Sequence, residues 1–319
     1  GKVTNLYFAF HNATVFNNGS SSTIGNWNTA NVTSFLGTFQ GASVFNQNIG
    51  GWNTAKATNM SQMFQDASSF NNGSSSTIGN WSTSSVTDFS SMFQNASVFN
   101  QNIGSWTTSA ATTFNAMFSG ASAFNQNIGS WSTGNATNFG SMFNYASAFN
   151  QNIGGWNVSK ATSMGSMFRY AAVFNQNLSD WCVSNIASKP GNFDTGSNSP
   201  TGAWTNASWK PQWGQCPTPN APSITQVTAG VQQVSLTWTA STSGTATLSN
   251  YQVTAYTDAT GLVAASGMTN PQPTGSGSTT SLTFTGLTTC VTYYFRVAGV
   301  NMNGTGASSS VSSGATPYN

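Results

Sequence analysis

The phrase FNQNIGSW occurs at residues 99–106 and again at 124–131. Near copies occupy 45–52, 149–156 and 174–181, and an expanded form, FNNGSSSTIGNW, occupies 16–27 and 70–81. No other feature constrains the fold as strongly. A segment that recurs at fixed spacing can bury its apolar side chains only against its own copies. Aligned on a Val-Thr or Ala-Thr pair, the units begin at Val3, Val32, Ala57, Val86, Ala111, Ala136 and Ala161, in steps of 29, 25, 29, 25, 25 and 25 residues. A period in this range is that of stacked coils.

Each unit divides in two. In the fourth, Phe89, Met92, Phe93, Ala96 and Phe99 are spaced by 3 and 4, which predicts one face of a short helix with Thr87 or Asp88 as its N-cap. Asn100 to Gly104 then break the helix, and Ile103 and Trp106 mark an extended stretch. Phe99, Ile103 and Trp106 should point inward and stack on their equivalents. Asn100 and Asn102 should form ladders from rung to rung, where a charge would face its own copy and be repelled. The Trp column from Trp27 to Trp181 reads as core, and the Thr columns as strand-turn and helix-cap hydrogen bonding rather than a hydroxyl array for ice.

The surface must be kept wet without charge. Only 4% of the 319 residues are charged, against about 25% in ordinary domains. The net charge of +2 comes from singly scattered basic residues, which excludes steering of nucleic acid or of an anionic membrane. Aromatic residues make up 13%, so a packed core is expected rather than disorder. There is no run of about 18 apolar residues, so no membrane span is expected. Residue 1 falls inside a repeat, so any targeting segment would already be gone.

After Trp181 the period fails. Trp204, Trp209 and Trp213, with turns at Pro190, Pro200 and Pro211, can close the end of the stack. Cys182 and Cys216 bracket this segment, which reads as a cap held by a disulfide in an exported protein. Such a bond would be worth about 3–4 kcal/mol. Two buried free thiols, or a metal site lacking further ligands, are the other readings. PTPNAP at 217–222 is a linker. From 223 onward, VSLTW, NYQVTAY, SLTFTGL and TYYFRVAGV alternate with period two and predict strands.

The pattern M-F-x-x-A-x-x-F-N-Q-x-I-x-x-W, over about residues 3–181, resembles the BspA-type leucine-rich-repeat surface proteins. That family often has Asp after Asn-Gln, where this chain has Asn102, Asn127 and Asn152, so acids that could hold cations are missing. The strand region is similar to a fibronectin type III domain, with Trp238 as its buried core Trp and Leu287 and Tyr293 at its corner. The resemblances imply an α/β leucine-rich-repeat-like solenoid over 1–181, a cap over 182–216, the 217–222 linker, and an all-β fibronectin type III (immunoglobulin-like) sandwich over 223–319. They imply an exposed location, on a cell or virion surface, and no catalytic residue, metal or cofactor.

Chemistry within the sequence points the same way. His11 stands alone, where other units carry Gln, Ser, Asn or Arg, and reads as surface variation. A Cys290 nucleophile would lack a base. Cys290 has no evident partner and reads either as buried and inert or as a thiol for an intermolecular bond. The expected function is that of a non-enzymatic structural subunit or adhesin, with other protein subunits, self or heterologous, as partners. The alternative is a carbohydrate- or receptor-binding module that uses the two expansions, Asn18, Gly19 and Ser20, and Asn72, Gly73 and Ser74, because insertions in repeat proteins map to a binding face. The first unit has no cap of its own, and its apolar end is expected to be covered by upstream residues or a neighbouring subunit.

Overall fold

The computed structural model of the chain describes residues 2–197, 206–241 and 248–319. It divides into two compact units, Gly1–Gln215 and Cys216–Asn319.

In the first unit the repeats lie in register. Single parallel bridges link Asn5, Ser34, Asn59, Asp88, Thr113, Asn138 and Ser163 in succession, one residue per repeat. The expected α/β leucine-rich-repeat solenoid is not formed. Among the described residues there is no α-helix, and in this unit they form no named strand. The stretch with helical spacing is a run of turns. Met92, Gln94 and Ala96 donate their N–H groups three residues back, to Phe89, Ser91 and Phe93. The residues between them donate outward instead. Ser91, Phe93 and Asn95 bond to the carbonyls of Asn115, Met117 and Ser119 in the next repeat, at 2.7–2.9 Å.

The physical obstacle to a helix is the backbone itself. Ser91 and Asn95 have φ of 55° and 56°, and every repeat has such a pair four residues apart. A right-handed helix tolerates no positive φ. The spacing of four, which mimics a helical face, is the period of these left-handed corners. Neither expected cap residue caps anything: Asp88 sits on the bridge column and accepts locally from the Ser90 N–H, while Thr87 donates to the Thr58 carbonyl.

The core runs in columns along the stack. Phe64, Phe93, Phe118, Phe143 and Phe168 lie with ring centroids 5.6–5.8 Å apart and planes within 9° of parallel. Within a repeat, Phe93 and Phe99 stack at 3.8 Å. All are fully buried, and each such burial is worth about 1.5–3 kcal/mol. The tryptophan column is core from Trp52 to Trp181, while Trp27 of the first repeat is 42% exposed. Within this column each buried indole N–H has a partner one repeat back: Trp106 donates to the Ile78 carbonyl at 3.1 Å and Trp131 to that of Ile103 at 3.2 Å.

The asparagine expectation holds for one column and fails for the other. Asn71, Asn100, Asn125 and Asn150 each use the side-chain oxygen to accept the backbone N–H of the equivalent residue in the next repeat, at 2.9–3.0 Å. The side-chain amides of Gln101, Gln126, Gln151 and Gln176 add a second donor to the same oxygens. Thus each Asn bonds to the backbone of its own copy, and the amide-to-amide bond between repeats is Gln to Asn, not Asn to Asn. Asn102, by contrast, folds back on the Gly104 N–H at 3.0 Å and reaches no neighbour. Gly104 is required for close approach: a Cβ there would lie 2.5 Å from the Asn127 carbonyl oxygen of the next repeat.

The same core continues through Val183, Ile186 and Phe193. Phe193 meets Phe168 edge-on at 5.4 Å and Trp213 at 4.9 Å, and the Trp209 carbonyl accepts the Leu178 N–H. Trp204 and Pro200 lie outside the described residues.

The second unit is a two-sheet antiparallel sandwich. Strands β1 (Ile224–Gly230), β2 (Gln233–Trp238) and β5 (Ser281–Thr285) form one sheet in that order. Strands β4 (Gln272–Pro273), β3 (Asn250–Tyr256), β6 (Tyr294–Asn301) and β7 (Gly304–Ser308) form the other. Alternate residues of β2 and β3 face inward, as their period of two requires. Trp238 packs edge-on against Tyr251 at 5.4 Å, and Phe284 meets Phe295 at 5.3 Å. Leu287 and Tyr293 are buried at the corner, where the Tyr293 hydroxyl oxygen accepts the Thr288 N–H.

Candidate functional site

The two expansions fold alike. Asn18–Ser20 and Ser22–Asn26 form paired 3-10 turns in the first repeat, and Asn72–Ser74 and Ser76–Asn80 repeat them in the third. Gly19 and Gly73 occupy the left-handed region at φ 57° and 59°. In both copies the leading Asn closes the loop, its amide donating to the carbonyl three residues on: Asn18 to Ser21 and Asn72 to Ser75. The copies differ in one respect. Asn72 is fully buried, and its oxygen accepts the Ile49 N–H of the preceding repeat at 2.9 Å. Asn72 is therefore a structural tie, while Gly19, Ser20, Gly73 and Ser74 are exposed. Between the two loops lies a polar notch whose lining includes Ser22, Asn26, Asn48, Thr77 and Asn80. Asn48 is held in place by the Thr77 hydroxyl and the Gly50 N–H, both at 2.9 Å.

The cysteines separate as bonded and free. Cys182 and Cys216 are disulfide-bonded, which removes the free-thiol and metal readings. Cys290 is a free thiol and exposed, so the buried, inert reading is corrected. It sits in a turn at φ 62°. Among the described residues no group of three or more His, Cys, Asp or Glu could hold a metal ion. No helix among them is long and apolar enough to cross a membrane.

Two carboxylates depart from their ordinary range. Burial pushes Asp194 up, but the hydrogen bonds and charges of Lys189 and Lys210 outweigh it and hold the group below its usual 3.8. Asp258 is lowered to about 2, first by the Thr260 hydroxyl and then by the Val263 N–H. Both organise their own loops. His11 bonds to its exposed neighbour Asn12.

Tyr145, Tyr170 and Arg169 are a cluster that periodicity does not reveal. Their signal is a break within a column. The position held by Asn12, Gly41, Asp66, Asn95 and Gly120 in the first five repeats is Tyr in the next two. The two rings stand 4.7 Å apart, with the Arg169 guanidinium 5.9 Å from one and 4.9 Å from the other.

The family described as Mycoplasma protein of unknown function, DUF285, matches residues 1–77, 73–181 and 106–204. The fibronectin type III family matches residues 217–315. No curated protein matches the chain. Among solved structures, a β-1,2-glucanase from Parabacteroides distasonis is 17% identical over 32% of this chain and 13% of its own, with a TM-score of 0.25. The chicken CNTN1 FN1–FN3 domains are 22% identical over 31% of this chain and 32% of theirs, at 0.24. A Fn3-like protein from Clostridium thermocellum is 20% identical over 32% of this chain and 96% of its own, at 0.22. The chain thus spans less than a third of the glucanase chain and about a third of the CNTN1 chain.

Proposed function

The chain belongs to the DUF285 family, described as Mycoplasma protein of unknown function, and carries a fibronectin type III domain; from that premise we propose that it is a non-enzymatic surface protein, a structural subunit or adhesin of a cell- or particle-surface assembly. The supporting observation is the continuous ladder of the first unit. Backbone and side-chain polar groups are spent on bonds between repeats, which leaves a regular, nearly uncharged face. Interactions of such a face respond little to ionic strength. The disulfide and the fibronectin type III domain fit an extracellular setting. The M-F and F-N-Q phrases, which resemble those of the BspA-type surface proteins, support this reading. Its partners are other protein subunits, of its own kind or another. Electron microscopy of the native source with antibody against this chain tests the proposal. Regular labelling along a particle or filament is expected. Sparse labelling, or a free monomer, overturns the subunit role.

The matched loops and the notch between them favour a second reading, a carbohydrate- or receptor-binding module. Replacing NNGSSST by NQN at 17–23 and 71–77 removes both loops, with Ser22 and Thr77 of the notch lining, while keeping the repeat. A glycan that binds the intact chain and loses the trimmed one is the expected result. Equal binding by both removes this reading.

A further inference from the structure

The column of Asn12, Gly41, Asp66, Asn95, Gly120, Tyr145 and Tyr170 lies in the left-handed region throughout, with φ between 54° and 73°. Asn, Asp and Gly are the residue types that enter this region readily. Tyrosine is not, and nothing in the core calls for it: the two side chains are 49% and 38% exposed. Strain held at an exposed position points to use.

The neighbouring column shows a matching change. His11, Gln40, Gln65, Gln94, Ser119 and Asn144 give way to Arg169, the column's one permanent cation. Arg169 lies over both tyrosine rings. Its Nε and the Asn144 Oδ1 are shielded from solvent without a hydrogen-bond partner. The carboxylate in the tyrosine column, Asp66, is three repeats away from Tyr145 and is bonded to the Asn95 amide. Asp194 is occupied by Lys189 and Lys210. On the other side of the tyrosines runs a column of hydroxyls, Ser97, Ser122 and Ser147, each donating to the preceding repeat.

We infer that Tyr145, Tyr170 and Arg169 form a binding ledge for a sugar that carries a carboxylate. Gly196 closes on the Tyr170 ring, so the more exposed Tyr145 ring offers most of the surface for the C–H groups of a pyranose, while a guanidinium presents paired donors to a carboxylate and amides and hydroxyls lie in the neighbouring columns. A neutral sugar leaves the cation unanswered. The ledge is separate from the notch between the expansions, in the last two repeats instead of the first three.

The other repeats supply the test. Tyr145→Asn with Tyr170→Asn installs the residue that Asn12 and Asn95 carry at this position, and Arg169→Gln installs that of Gln40, Gln65 and Gln94. The full chain is titrated with tetragalacturonate and sialyllactose, and with galactotetraose and lactose as their neutral counterparts. Wild type should bind one of the acidic sugars at least tenfold tighter than its neutral counterpart. The double tyrosine variant should lose binding at least tenfold with an equal or higher melting temperature, because Asn relieves the backbone. Arg169→Gln should erase the preference for acid. The loop-trimmed chain should bind as wild type does. The inference is overturned by no binding of either acidic sugar, by undiminished binding in the tyrosine variant, by a lower melting temperature in that variant, or by loss of binding on loop trimming.

Discussion

At the scale of single residues, close approach and one ion-paired carboxylate give the sharpest expectations. Gly104→Ala places a Cβ against the backbone oxygen of Asn127, which has no side-chain freedom with which to yield. The cost should be about 1–3 kcal/mol, read as a lower urea midpoint. The same position in the seventh repeat is Ser179, where no further copy of the phrase follows, so a side chain is tolerated. Asp194 sets a pH dependence. Its folded value lies below 3.8, so its contribution is complete above the unfolded value and is lost as pH falls through the folded one. The melting temperature of the first unit should therefore drop below about pH 4, and Asp194→Asn should flatten that part of the profile. Residue-scale roles were only partly legible beforehand. Asn18 and Asn72 occupy identical phrases, yet Asn72 is buried by a bond from Ile49 that only the stacking order supplies.

At the scale of the element, the repeat is both a packing unit and a hydrogen-bonding unit. Phe93 is sandwiched between Phe64 and Phe118, so Phe93→Ala should cost about 3–5 kcal/mol in chemical denaturation. Deleting residues 107–131 removes one 25-residue period and joins Trp106 to Ser132, as Trp131 is joined to it now. The shortened protein should fold cooperatively with a lower midpoint. Removing 107–130 instead leaves one residue too many at the junction and strains the inter-repeat bonds across it, so the midpoint should fall further than with the 25-residue deletion. The inward columns were legible because Phe, Ile and Trp recur at fixed places. The helix was misread because apolar residues three and four apart serve a pair of left-handed corners as well as a helical face. Sequence spacing does not report the sign of φ at Ser91 or Asn95. The sandwich was legible because alternation in VSLTW and NYQVTAY has one physical meaning.

At the scale of the whole molecule, the disulfide and the scarcity of charge decide behaviour. Reducing the Cys182–Cys216 bond should lower the stability of residues 1–215 by about 3–4 kcal/mol, visible as an earlier unfolding transition in reductant. Much of this scale was readable: the end of the period, the flanking cysteines and the return of two-residue alternation are all in the sequence. The ledge of Tyr145, Tyr170 and Arg169 was not, because reading for periodicity averages away the units that differ.

The ladder of the first unit has a further consequence. Each repeat hands its N–H groups to the next at the same offset, and each adds about 4.8 Å of height. Gain or loss of a whole copy by recombination would change reach in equal increments and leave the chemistry of the face intact. In the first unit, copy number is therefore the variable that sets the length of the stack.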